Sequence, residues 1–195
     1  MSVALSEAEV HGRAFFQSLV ARGLCGVEFI VSDDNSGMAA ARKAVFGGVP
    51  WQRCQFHLQQ NAQAHVPRLD QRAEVARAIR SVFDSPSRPA AQVRLKEIVT
   101  GYAPGTPKLA LWLEENLGQG LTVFTLPAAH QKRMRTSNAL ERVNQELKRR
   151  TRVARVFPSE QSLLRLVTAL LIETSDQWET GTIYLNMKLH TQPSV

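Results

Sequence analysis

Residues 27–56 read VEFIVSDDNSGMAAARKAVFGGVPWQRCQF. The first six, VEFIVS, are rich in β-branched and aromatic side chains and predict a buried strand. Asp33 and Asp34 follow at its carboxyl end. The alanine-rich GMAAARKAVF over 37–46 predicts a helix, closed by Gly47 and Gly48 and then Pro50. WQRCQF over 51–56 predicts the next strand. This order with short turns argues a βαβ unit with parallel strands, and so an α/β fold.

Working outward, residues 6–24 predict a helix capped by Ser6, with Phe15, Phe16, Leu19 and Val20 as its apolar stripe. Residues 58–115 read as helical, with breaks at Pro67, Pro86, Pro89, Pro104 and Pro107; 71–81 and 109–117 are the clearest helices. Residues 118–134 read as a connection. A helix over 138–153 ends before Pro158, and Ser159 caps a long, mostly buried helix over 163–178. The tail from 181 to 195 is expected to be loosely ordered.

The 195 residues carry a net charge of +7, and the sequence pI is near 10.0. That surplus is local. Residues 132–155, KRMRTSNALERVNQELKRRTRVAR, hold nine Lys/Arg and two Glu, and the remainder of the chain balances. A cationic stretch of this kind favours a polyanionic partner, with double-stranded DNA first. A membrane surface is disfavoured, because the apolar face of this helix (Leu140, Val143, Leu147) is short. The most apolar run, 163–172, is interrupted by Arg165 and falls short of the roughly 20 residues that span a bilayer. Two cysteines, Cys25 and Cys54, make no disulfide framework, and the start lacks the basic and apolar regions of a signal peptide. The expected location is cytoplasmic and nucleoid-associated.

Two acidic positions stand out. Asp33 ends a hydrophobic strand, where α/β sheets collect their chemistry, although Asp is also a favoured helix cap and either Asp33 or Asp34 can serve as one. Glu141 fits a capping box with Asn138. At about 100° per residue, Glu141, Gln145, Lys148 and Arg152 share one face of the basic helix, beside the stripe of Leu140, Val143 and Leu147. Glu141 therefore lines up with cations able to reach phosphates. Cys54-x-x-His57 is half of a zinc pattern with no second pair, so packing or local hydrogen bonding is the favoured reading.

Taken together, four segments resemble the Mutator-type transposases of bacterial insertion sequences. They are SEAEVHGRAFFQSLVARGLCGVEFIVSDDNSG (6–37), VPWQRCQFHLQQNAQAHVPR (49–68), TSNALERVNQELKRRTRVARVFPS (136–159) and WETGTIYLNM (178–187). The resemblance implies an Asp-Asp-Glu catalytic triad on a ribonuclease H-like fold. Asp33 matches the second catalytic aspartate, with Asp34 its less favoured neighbour, and Glu141, 108 residues later, matches the glutamate. Cys54 and His57 match a family signature of unassigned role. Such triads hold two Mg²⁺ or Mn²⁺ ions for in-line phosphodiester displacement. Arg142, Lys148, Arg149, Arg150, Arg152 and Arg155 would then bind DNA, at the element ends and the target.

The resemblance divides the chain into a partial ribonuclease H-like core (1–66), a helical insertion (67–127), C-terminal core helices carrying Glu141 (128–180) and a tail (181–195). The triad's first aspartate belongs on a strand ahead of the first helix, and no Asp or Glu precedes Glu7. The fold is therefore expected to be incomplete, a parallel strand pair with flanking helices. The chain is expected to be an N-terminally truncated transposase, inactive alone and associating as a homo-oligomer or with full-length transposase. A non-catalytic DNA-binding or inhibitory fragment is the alternative. Gly12 departs from the family pattern, where an aromatic is expected.

Overall fold

The computed structural model describes residues 9–154, 156–181 and Leu185. Two compact units divide the chain, one ending at Thr136 and the other beginning at Ser137. The Ser6 cap, Arg155 and most of the tail lie outside the described residues.

The first unit opens with α1 (Glu9–Ala21), β1 (Ile30–Ser32), α2 (Ser36–Phe46) and β2 (Trp51–Arg53). The strands pair in parallel, with Ile30 opposite Trp51, Val31 opposite Gln52 and Ser32 opposite Arg53. The expected crossover through α2 is present. Both strands are shorter than their side chains suggest. Residues 27–29 have strand-forming side chains but no described ladder partner, and a strand without one gains no hydrogen bonds. β2 stops at Arg53 because Cys54 turns the backbone into α3 (Gln55–Ala62). The Cys54 N–H still donates to the Ser32 carbonyl at 2.8 Å, which ties the new helix to the end of β1.

α1 packs on α2, with the Phe16 and Phe46 rings edge-on at 5.4 Å. A Cβ on Gly12 would lie 3.0 Å from the Ala41 Cβ. The helices close on that glycine, so an aromatic at position 12 does not fit between them as they stand.

The main apolar core lies in the helical stretch rather than around the strands. It is built by α3 with α4 (Arg72–Phe83), α5 (Arg88–Tyr102) and α6 (Pro107–Asn116). The prolines fall between or at the start of these helices, as their missing N–H requires. Val75, Ile79, Val82 and Phe83 recur at helical spacing on α4 and bury with Leu58, Leu109, Leu113 and Leu117.

Residues 118–134 are more ordered than a connection. Two short 3₁₀ turns, Leu117–Gly120 and Thr122–Thr125, lead into α7 (Ala128–Met134), which buries His130. At the first turn the backbone approaches the core closely. A Cβ on Gly120 would lie 2.7 Å from Leu58 Cδ1 and 2.9 Å from Phe83 Cε1. Gly120→Ala is expected to lower stability by about 1–3 kcal/mol through overpacking. Gly118→Ala, with nothing within 4 Å of its added Cβ, is the matched control. Denaturant midpoints of the two variants check this, and equal midpoints would refute it.

The second unit holds α8 (Asn138–Ala154) and α9 (Glu160–Thr180). Ser159 caps α9 as expected and exchanges side chain-to-backbone bonds with Ser162 in a capping box. The expectation that α9 is mostly buried fails. Leu170 is its one buried residue among those described, while Ile172 and Trp178 are 57% and 62% exposed. Within this unit α9 packs against α8, and one helical neighbour covers only one face.

Candidate functional site

At the carboxyl end of β1 the chain runs Ser32, Asp33, Asp34, Asn35. Neither aspartate caps α2. That role belongs to Asn35, whose Oδ1 accepts the Met38 N–H at 3.1 Å. The capping explanation for the acidic pair is thereby removed.

The two aspartates then differ. Asp34 Oδ2 lies 3.2 Å from Arg53 Nη1, whose side chain is only 5% exposed. The same nitrogen donates to Asn116 Oδ1 at 3.1 Å and Gln119 Oε1 at 3.2 Å. Asp34 is therefore tied to a buried cation at the end of β2. Asp33 is exposed, and among the described residues its carboxylate has no cationic partner. Its backbone is held: the Ser32 hydroxyl donates to the Asp33 carbonyl at 2.8 Å and accepts from Trp51 Nε1 at 2.9 Å. The buried Arg42 guanidinium stacks over the Trp51 ring at 4.6 Å, and burial lowers its pKa from the ordinary value. A fixed backbone with a solvent-facing carboxylate suits a hard-cation ligand.

β2 is anchored by amides that sequence reasoning passed over. Gln52 is fully buried. Its Nε2 donates to the carbonyls of Arg53 at 2.9 Å and Gly120 at 2.8 Å, and its Oε1 accepts the Val123 N–H at 2.7 Å. Gln55 Nε2 also donates to the Gly120 carbonyl at 2.8 Å. The available signal was a cluster of polar residues, Gln52, Arg53 and Gln55, within a predicted strand. Buried polar groups must find partners, so such a cluster marks a network.

Cys54 is fully buried at the N-terminus of α3, and its side chain makes no capping bond. His57 follows in the first turn, half-buried, with the Phe56 ring edge-on at 5.4 Å.

On α8, Glu141 occupies the first turn. The expected box with Asn138 is replaced by Ser137. The Ser137 carbonyl accepts the Glu141 N–H at 3.0 Å, and its hydroxyl donates to Glu141 Oε1 at 2.8 Å. The helix starts one residue earlier than the Asn138 cap assumed, so Asn138 already lies inside it. Arg142, Lys148, Arg149, Arg150 and Arg152 are all exposed on α8. No helix among the described residues is long and apolar enough to cross a membrane.

The family model of the Mutator-family transposases matches residues 1–181. The chain belongs to the Mutator family of transposases. It is 54% identical over 184 residues to the transposase for insertion sequence element IS406 of Burkholderia multivorans, covering 94% of this chain and 47% of that protein. It is 40% identical over 173 residues to the transposase for ISRM5 of Rhizobium meliloti, covering 89% and 43%. With the transposase for IS256 in transposon Tn4001 of Staphylococcus aureus the identity is 29% over 174 residues, covering 88% and 44%. The Mutator-family chain thus spans less than half the length of these relatives.

Proposed function

We propose that this chain contributes to metal-dependent cleavage and transfer of DNA strands in the transposition of an insertion sequence. In this reading β1, β2 and their helices belong to a ribonuclease H-like core, and Asp33 and Glu141 are the metal-ligating carboxylates. The observation that carries it is the contrast at the strand end, where both aspartates are exposed but only Asp34 is engaged by a cation, Arg53, among the described residues. The donor chemistry fits: Mg²⁺ takes oxygen ligands and keeps several waters, so a few carboxylates suffice. Bound Mg²⁺ or Mn²⁺ would activate a water or 3′-hydroxyl and stabilise the leaving oxygen of an in-line displacement. Asp33 offers its oxygens from a fixed backbone, Arg53 keeps Asp34 out of competition, and the cations of α8 hold DNA phosphates. Double-stranded DNA is the partner, and a second copy or a full-length transposase is the expected associate.

The test is nicking of DNA bearing the element's ends. The chain is assayed alone, and with the part of the IS406 transposase that it does not span supplied in trans, in Mg²⁺ and in EDTA. Cleavage that needs Mg²⁺ and disappears in Glu141→Gln is the expected result. Cleavage that survives Glu141→Gln would sink the assignment. Salt-sensitive binding without cleavage in either mixture would favour a DNA-binding fragment instead.

A further inference from the structure

Four of the cations of α8 form two pairs, and only one pair is free of a carboxylate partner among the described residues. At about 100° per residue, Lys148 and Arg152 lie in line with Glu141 and Gln145, whereas Arg149 and Arg150 lie on the side of Glu146. Glu146 engages both of these arginines. Its Oε2 accepts Arg149 Nε at 2.8 Å, and its Oε1 accepts Arg149 Nη2 and Arg150 Nε, each at 2.7 Å. Arg149 is therefore held as a bidentate fork, the geometry it would otherwise offer a phosphate. Hydrogen bonds from Arg149 first and then Arg150 hold the Glu146 carboxyl at about 2, so it stays ionised at any pH at which the protein would work. Among the described residues, neither Lys148 nor Arg152 is in an ion pair.

We infer that DNA runs along the Lys148–Arg152 row of α8, and that Glu146 withholds Arg149 and Arg150 from the phosphates. The inference rests on the proposed DNA-binding role of α8 and narrows it from a general basic helix to one face. Two turns separate Glu141 from Lys148, about 10 Å along the axis, and Arg152 lies about 6 Å further. A backbone that reaches Glu141 and follows the helix passes both cations in turn.

Two charge-matched variants test this on the full chain, Lys148→Gln/Arg152→Gln and Arg149→Gln/Arg150→Gln. Each removes two positive charges, and the second also leaves Glu146 without its two arginine partners. The readout is the slope of log affinity against log salt for a double-stranded oligonucleotide, by fluorescence anisotropy. Circular dichroism confirms that helix content is retained. The first variant is expected to reduce the slope by about 1.8, two phosphate contacts' worth, and the second by less than half of that. An equal or larger reduction from the Arg149/Arg150 variant would overturn the inference while leaving α8 as the DNA-binding helix. A wild-type slope near zero would overturn both the inference and the reading beneath it.

Discussion

Asp33→Asn is expected to lower Mg²⁺-dependent cleavage by roughly 10²–10³, and Asp34→Asn by less than about tenfold. The first figure follows from what a metal ligand supplies, several kcal/mol of transition-state charge stabilisation, with about 1.4 kcal/mol for each factor of ten. The second follows from geometry. Asp34 Oδ2 already sits 3.2 Å from Arg53 Nη1, and the asparagine oxygen can still accept from that guanidinium. The Asp34 side chain is 40% exposed, so loss of its charge is cushioned by solvent. Single-turnover nicking across a Mg²⁺ titration, on the complemented mixture described above, measures both variants. Mn²⁺ binding followed by electron paramagnetic resonance gives a readout independent of turnover. A reversed order of losses would transfer the ligand role to Asp34 and make Asp33 the bystander.

Gln52→Ala is expected to cost about 3–5 kcal/mol of stability, a large share of the roughly 5–15 kcal/mol typical of a domain. The side chain is fully buried and makes three hydrogen bonds. Truncation opens a cavity beneath β2. It also orphans the Val123 N–H, and an unsatisfied buried donor alone costs about 1–3 kcal/mol. The Gly120 carbonyl fares better, since Gln55 still donates to it at 2.8 Å. Gln52→Met separates the two contributions: it keeps the volume, loses the hydrogen bonds, and is expected to cost about 1–3 kcal/mol. Denaturant unfolding of wild type and both variants reads the differences. A loss below about 1 kcal/mol for Gln52→Ala would mean that the amide network does not hold β2 in place.

Both predictions concern the same few ångströms, where the strands end. Gln52 and Gln55 tie β2 to the Gly120 turn, and Arg53 reaches from β2 to Asn116, Gln119 and Asp34. The helical core therefore bears on the strand end through hydrogen bonds as well as apolar packing. A substitution at Gly120 should loosen the backbone that presents Asp33, as well as the contacts of Leu58 and Phe83.

The local periodicities were legible. An apolar β-branched run, an alanine-rich segment closed by two glycines and a short second strand are properties of neighbouring residues, and they predicted the parallel pair and α2. Ser159 announced its helix for the same reason, since capping needs only residues within one turn. The alignment of Glu141 with Lys148 and Arg152 also followed from helical spacing alone. Other features depended on which distant residues share a volume. No pattern near Asp33 and Asp34 says that Arg53 takes one of them, because the guanidinium arrives from the neighbouring strand and is itself held by Asn116 and Gln119. Sequence spacing placed the cap of α8 on Asn138, but the hydroxyl that engages Glu141 comes from Ser137, one residue earlier. The exposure of Ile172 and Trp178 on α9 also escaped prediction, because an apolar residue carries no record of how many neighbours will cover it.

By itself, then, the sequence determined the α/β class, the basic helix with Glu141 at its start, and membership of the Mutator family, all carried by local pattern and motif order. Only the tertiary structure decided which aspartate is engaged and that buried amides hold β2 to the helical core. These are choices of hydrogen-bond partner between groups of similar chemistry. Distance and burial make such choices, and neither exists until the chain has folded.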